Sequence, residues 1–144
     1  MLLPLFRLID RCRHLRRKRV WNLDHANGRL GEDLAHRYLQ ERGFVIVARN
    51  YSTRSGSAEL DIVARDGETL VFVEVKTRST EEFGAPDRAV DGYKRDRLFR
   101  GARDYVRRAG ADWGQVRFDL VNVVLARPPA ITHRRNVFPL TRAV

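Results

Sequence analysis

The clearest alternation of apolar and polar positions runs from Glu59 to Lys76, ELDIVARDGETLVFVEVK. Two runs of period two flank Asp66-Gly67, which predicts a β-hairpin. By strict alternation Glu59, Asp61 and Val63 share one face of the first strand, with Leu60, Ile62 and Ala64 on the other. In the second strand Leu70, Phe72, Glu74 and Lys76 share a face, opposite Val71, Val73 and Val75. A turn centred on Asp66-Gly67 pairs residue 61 with 72 and 59 with 74, whereas a turn on Gly67-Glu68 pairs Asp61 directly with Glu74. Both registers put Asp61, Glu74 and Lys76 on one face as direct or diagonal neighbours.

Other elements follow from the same patterning. Asn27 is the expected N-cap of a helix reaching about Arg42, with Gly43 as its stop and Leu30, Leu34, Ala35, Tyr38 and Leu39 as its apolar stripe. At about 100° per residue Glu32 falls at the edge of that stripe and Asp33 on the polar side. FVIVARN, Phe44 to Asn50, predicts a strand, and YSTRSGSA a loop. A second helix is predicted from around Asp87 or Asp91 to Ala109, with Gly110 as its stop. Its stripe is Leu98, Ala102, Tyr105 and Ala109, with Phe99 and Val106 alongside. Val116 to Ala126 predicts a mostly buried strand, and a short edge strand is expected near residues 136–140. The order helix, three strands, helix, strand predicts an α/β layer fold with a mixed sheet.

The chain has 144 residues, the size of one ordinary domain, with 43% hydrophobic and 32% charged residues, a globular balance. Division into an arm at 1–24 and one domain at 25–144 follows from the crowding of Arg11, Arg13, Arg16, Arg17, Lys18 and Arg19 behind a short apolar start. Such an arm suits a phosphate backbone, an anionic membrane surface, or a terminus without fixed structure. Lys+Arg number 28 against Asp+Glu 18, a formal net charge of +10, which favours polyanions and nucleic acid first among them. A single cysteine, Cys12, excludes an internal disulfide and fits a reducing compartment. With no run near the roughly 18 apolar residues of a membrane span, the expected location is cytoplasmic.

Carboxylates opposite one another in apolar strands repel, and burial raises the cost. Either that face is the wet side of a half-exposed hairpin, or a divalent cation reverses the sign of the interaction. Asp61 and Glu74 offer hard oxygen ligands for Mg²⁺ or Mn²⁺, with the backbone carbonyl of Val75 and Glu32 as further candidates. Lys76, two residues after Glu74, could orient an attacking water or stabilise negative charge in phosphodiester hydrolysis. Arg54, Arg78 and Lys94 are candidate contacts to nucleic acid. His14, His25, His36 and His133 show no zinc spacing, and no phosphate-cradling glycine loop is present.

The segments GRLGEDLAHRYLQERGF, ARNYSTRSGSAELDIVA, VFVEVKTRS, FGAPDRAVDGYKRDRL, VRFDLVNV and NVF resemble the YraN-like family of uncharacterised bacterial proteins. That family is similar to the restriction-endonuclease-like PD-(D/E)xK nucleases, archaeal Holliday-junction resolvases among them. The resemblance covers about Asn27 to Pro139 and implies a three-layer fold, a central mixed sheet flanked by helices, with a Mg²⁺-dependent nuclease site. By position Asp61, Glu74 and Lys76 match the motif, Glu32 matches the helix-one acid of resolvase-like members, and Glu59 is left as a helper. Leu60 stands where the motif proline would be, and Ala58 where family members usually carry glycine. The implied activity is cleavage of branched or damaged DNA, and resolvase-like action would require a homodimer. The alternatives are a nucleic-acid-binding protein of the same fold without robust cleavage, and a membrane-surface adaptor using the basic arm.

Overall fold

The computed structural model describes residues 25–79 and 92–140. The 1–24 arm, the FGAP loop and the starts expected for the second helix at Asp87 or Asp91 lie outside those residues.

Helix α1 covers residues 25–41. Asn27 lies inside it rather than capping it, because His25 and Ala26 are already helical and alanine is the strongest helix former. The C-terminus ends as predicted. Gly43 takes a φ of 87°, the Phe44 N–H donates to the Leu39 carbonyl at 3.0 Å, and the Gly43 N–H donates to that of Gln40 at 3.0 Å. These are the paired bonds of a Schellman stop.

Ala35 and Leu39 are fully buried, with Leu34 and Tyr38 packed beside them. Leu30, expected on the stripe, is instead 48% exposed. The helix approaches the sheet through Gly31, where an added Cβ would lie 1.8 Å from Thr77 Oγ1. Gly31, Ala35 and Leu39 follow one another at intervals of four, and this line of contact turns Leu30 outward.

Five strands form one mixed sheet in sequence order. They are β1 (Val45–Ser52), β2 (Glu59–Asp66), β3 (Thr69–Arg78), β4 (Val116–Val124) and β5 (Ala130–Arg134). β1, β2 and β3 form an antiparallel meander, β4 runs parallel to β3, and β5 returns antiparallel to β4. A parallel neighbour needs a long crossover, and the segment between β3 and β4 contains helix α2 (Gly92–Ala109). Asp66 pairs with Thr69, so the hairpin loop is Gly67-Glu68. Gly67 has a φ of 60°, the left-handed value a II′ turn requires at its first loop position.

The edge strand falls at residues 130–134 rather than 136–140. Pro128 and Pro129 cannot donate to a ladder, so pairing resumes only after them, and Asn136, with a φ of 55°, ends it. Residues beyond fold over the other layer, where Val137, Phe138 and Leu140 pack and the Val137 N–H donates to the Phe118 carbonyl at 2.8 Å.

The sheet separates two apolar layers. Under α1 lie Ile62, Ala64, Val71, Val73, Val121 and Val123. Under α2 lie Leu60, Val63, Leu70, Phe72 and Phe118, covered by Leu98, Ala102 and Val106. Val106 rather than Ala109 completes the α2 stripe, and Ala109 is exposed in the last turn. The expected α/β architecture, a mixed sheet flanked by helices, is therefore present, and it is consistent with a three-layer nuclease-like fold.

One buried ionic cluster was not visible in the sequence. Asp119 is fully buried, yet it accepts from Arg117 Nε at 2.8 Å and Nη2 at 3.0 Å, pairs with His133 Nε2 at 2.8 Å, and accepts from the Asn136 N–H at 3.0 Å. Arg117 also reaches Asp66 Oδ2 at 3.0 Å. These bonds hold β5 and the tail to β4, and they keep the Asp119 carboxyl below the usual aspartate range despite its burial.

The contact at Gly31 gives a direct test. Gly31→Ala should lower unfolding stability by about 1–3 kcal/mol through overpacking. Adding Thr77→Ala should recover part of that loss in urea denaturation. A fully stable single variant would contradict the close approach of α1 to β3.

Candidate functional site

Strict alternation predicts that Leu60 shares a face with Ile62, but the structure separates them. Ile62 packs under α1 and Leu60 under α2, together with Val63. The neighbouring strand changes face at the same level, since Ala48 and Tyr51 both pack on the α2 side. Between the pairs Arg49↔Ile62 and Tyr51↔Leu60 lie Asn50 and Asp61. Asn50 has a φ of 49°, a left-handed conformation that asparagine tolerates better than most residues. The two strands thus rotate together at Asn50 and Asp61.

Asp61 uses this rotation. The β2–β3 register stops at Ile62↔Val73, and the Val75 N–H donates to Asp61 Oδ2 at 2.8 Å. A side-chain oxygen accepts from the neighbouring strand just past the last paired residues. Continued by one step, the register places Asp61 opposite Glu74, the second of the two pairings open from the sequence. β3 keeps its alternation, so Glu74 faces α2 while Val75 packs toward α1.

A groove of about 680 Å³ opens here. Asp61, Glu74 and Glu59 form its floor and rim from the sheet. Glu32 and Arg29 enter from α1, and Lys94 and Arg97 from α2. The structure therefore brings together Glu32, Glu59, Asp61, Glu74 and Lys94 of the predicted set. Val75 and Arg78 line an adjoining groove of about 600 Å³ that shares Glu32. Lys76 acts electrostatically on Glu74. Arg54 is exposed in the β1–β2 loop and lines neither groove. Among the described residues no three Asp, Glu, His or Cys side chains converge as a metal cage.

Arg97 and Asn50 line the groove without having been singled out from the sequence. Arg97 lies one residue before the buried Leu98, a placement that could have flagged it. Asn50 gave no signal, because its role depends on a backbone conformation. Arg49, close to the site in sequence, is bound to acids of α1. Its Nη1 lies 2.7 Å from Asp33 Oδ1 and its Nη2 3.5 Å from Glu32 Oε2. Asp33 points outward, 56% exposed against 19% for Glu32, as the helical angle predicts.

Burial dominates the electrostatics of the pair, with like charge adding to it at Asp61. Desolvation, then the Glu74 carboxylate, push the Asp61 pKa up to about 8, with Glu32 and Glu59 adding to the rise and the Val75 N–H opposing it. Glu74 is also raised, chiefly by desolvation, although Lys94, a side-chain hydrogen bond with Asp61, and then Lys76 and Arg97 pull it down.

Comparison with known proteins places the chain in a family. The model of the uncharacterised protein family UPF0102 matches residues 31–123, which include Glu32, Asp61, Glu74 and Lys76. The chain belongs to family UPF0102. It is 54% identical to the UPF0102 protein of Solibacter usitatus over 134 residues, 93% of this chain and 97% of that one. It is 45% identical to the UPF0102 protein of Koribacter versatilis, over 79% of this chain and 80% of the relative. The same identity holds for that of Nocardia farcinica, over 78% and 89%. The UPF0102 match agrees with the YraN-like resemblance in the sequence.

The raised pKa of Asp61 sets a pH dependence for this UPF0102 protein. An acid whose folded pKa exceeds its unfolded value must ionise at a cost to the folded state. That cost is absent below about pH 4 and grows as pH rises toward 8. In chelator, Asp61→Asn should therefore be more stable than the parent at pH 8 by about 1–3 kcal/mol, after allowance for solvent screening. The advantage should close toward pH 4 in thermal melts. A constant difference across that range would show that Asp61 is not strained by its charge.

Proposed function

We propose that this protein is a Mg²⁺- or Mn²⁺-dependent nuclease-like protein acting on DNA phosphodiesters. The observation that carries the reading is the pairing of Asp61 with Glu74 inside a groove walled by Lys94 and Arg97. Like charges held together out of water are unfavourable unless a cation or proton intervenes. Carboxylate oxygens are the ligands that hard divalent cations take, so the donor set fits the metal that the family resemblance implies. Asp61 and Glu74 would hold it, with Glu32 and the Val75 carbonyl beside them. When bound, such an ion activates water and neutralises charge on the transferring phosphoryl group.

The chain's own side chains supply the rest. Lys76, whose charge is felt at Glu74, would orient the attacking water or stabilise developing negative charge. Lys94 and Arg97 meet the phosphate from the α2 side, and the excess of cations draws DNA to the groove. Glu59 is a helper at the rim, and Arg78 a contact in the adjoining groove.

The cations Lys94 and Arg97 that wall the groove also suit a second reading, a nucleic-acid-binding protein of this fold that cuts weakly or not at all. Among the described residues no helix is long and apolar enough to cross a membrane.

Cleavage assays with branched, single-stranded and duplex DNA in Mg²⁺, Mn²⁺ or EDTA distinguish these readings. Metal-dependent cutting should fall by about 10²-fold or more in Lys76→Ala and Asp61→Ala. Cutting that survives either change would remove the nuclease assignment from this site, and binding with no cutting on any substrate would favour the second reading.

A further inference from the structure

Helix α2 does more than cover one apolar layer. Its inner stripe of Leu98, Ala102 and Val106 is buried, and its outer surface is cationic, with Asp96 and Asp104 as the helix's only acids. Asp104 is already engaged by the Tyr51 hydroxyl and by Arg107 and Arg108. We propose that the outward face of α2 is a docking surface for the sugar–phosphate backbone of duplex nucleic acid, continuous with the groove at Asp61 and Glu74. This rests on the nucleic-acid reading of that groove and names the surface that holds the duplex beside it.

Three observations point to this partner. First, the cations lead away from the groove. Lys94 and Arg97 line it, while Arg100, Arg103 and Arg107 continue along the exposed side of the helix. From Lys94 to Arg107 is about 20 Å at 1.5 Å per residue, a length of about six base pairs at 3.4 Å each.

Second, the aromatic rings under this surface are covered by guanidinium groups. Arg95 lies 5.4 Å over the Phe99 ring and 5.3 Å over that of Phe138, and Arg103 lies 5.7 Å over Trp113. The rings hold the cations in place. Proteins that hold single strands present bare rings on which bases stack; here charge faces outward, which suits phosphate contact without base readout.

Third, the described side chains of α2 offer no apolar face to a bilayer. The exposed large apolar side chains among the described residues are Leu30, Val45 and Val47, none of them on α2, and insertion into lipid requires an apolar face.

The test measures binding of the full chain to a short labelled duplex in EDTA, from about 50 to 200 mM salt. Arg100→Gln/Arg103→Gln/Arg107→Gln should bind about 10–100-fold more weakly at the lower salt. The slope of log affinity against log salt should become shallower by about 2–3, at about 0.9 per phosphate contact. Arg100→Gln/Arg107→Gln leaves Arg103 over Trp113, and should show a smaller change in the same direction even if the triple variant melts early. An unchanged slope in both variants overturns the proposal, as does failure of the wild type to bind duplex. Loss of single-strand binding with duplex binding intact, or loss of binding to phosphatidylserine vesicles alone, overturns it too. Cleavage by the wild type is scored separately. Weakened duplex binding by these variants with no cutting by the parent would keep the docking surface and reject the nuclease reading.

Discussion

Much of this architecture depends on the point where the Asp61 side chain, rather than the β2 backbone, receives a hydrogen bond from β3. The Val75 N–H needs an acceptor, since an unpaired buried amide costs free energy comparable to a lost hydrogen bond. Asp61 Oδ2 supplies it at 2.8 Å. The bond fixes the carboxylate opposite Glu74 while β1 and β2 rotate together at Asn50 and Asp61. That rotation sends Tyr51 and Leu60 into the α2 layer. There Leu60 meets α2 at Gly101, where an added Cβ would lie 3.0 Å from the leucine side chain. The site and the seating of α2 are therefore consequences of one local change of face.

Two aspartates of this sheet illustrate what burial does in opposite circumstances. Asp119 is fully buried, and desolvation is the largest single influence on it, yet its carboxyl remains below the usual range. Two bonds from Arg117, one from His133 and one from the Asn136 N–H together outweigh desolvation. Asp61 receives one backbone bond and shares a side-chain hydrogen bond with Glu74, but it also faces the charge of Glu74, Glu32 and Glu59, so the penalty is not offset and its pKa rises. Asp119 reads as a structural anchor because its charge is satisfied within the chain. Asp61 reads as a site because its charge is not.

The sequence made the hairpin, both helix stops and the face carrying Glu74 legible, because each depends on local rules of period and glycine conformation. Gly43 and Gly110, with φ values of 87° and 63°, sit where the patterning stops the helices. The change of face at Asp61 was not legible, since strict alternation has no term for a left-handed asparagine on the adjoining strand. Leu30 was misplaced for a related reason: hydrophobicity assigns a leucine to the core, but close packing at Gly31 decides which line of α1 faces the sheet. β5 was expected too late in the chain because Asn136 to Leu140 are apolar enough for a strand, whereas the ladder is fixed by where Pro129 ends. The Asp119 cluster joins residues from separate strands, so no window of sequence contains it.

The distribution of counter-charges sharpens the difference between scaffold and site. Asp33 is paired with Arg49, Asp66 with Arg117 and Arg135, and Asp104 with Arg107 and Arg108. The more exposed of these pairs contribute little to stability individually, but all of them neutralise acids that would otherwise repel a polyanion. At the groove the arrangement reverses. Lys94, Lys76 and Arg97 all pull the Glu74 pKa down, yet it remains raised because desolvation outweighs them. Cations close enough to influence the acid pair therefore do not suffice to satisfy it, and a chain with a net charge of +10 still keeps two carboxylates in unfavourable surroundings. Since such surroundings lower stability, their physical role is sought in what enters the groove rather than in what holds the fold together.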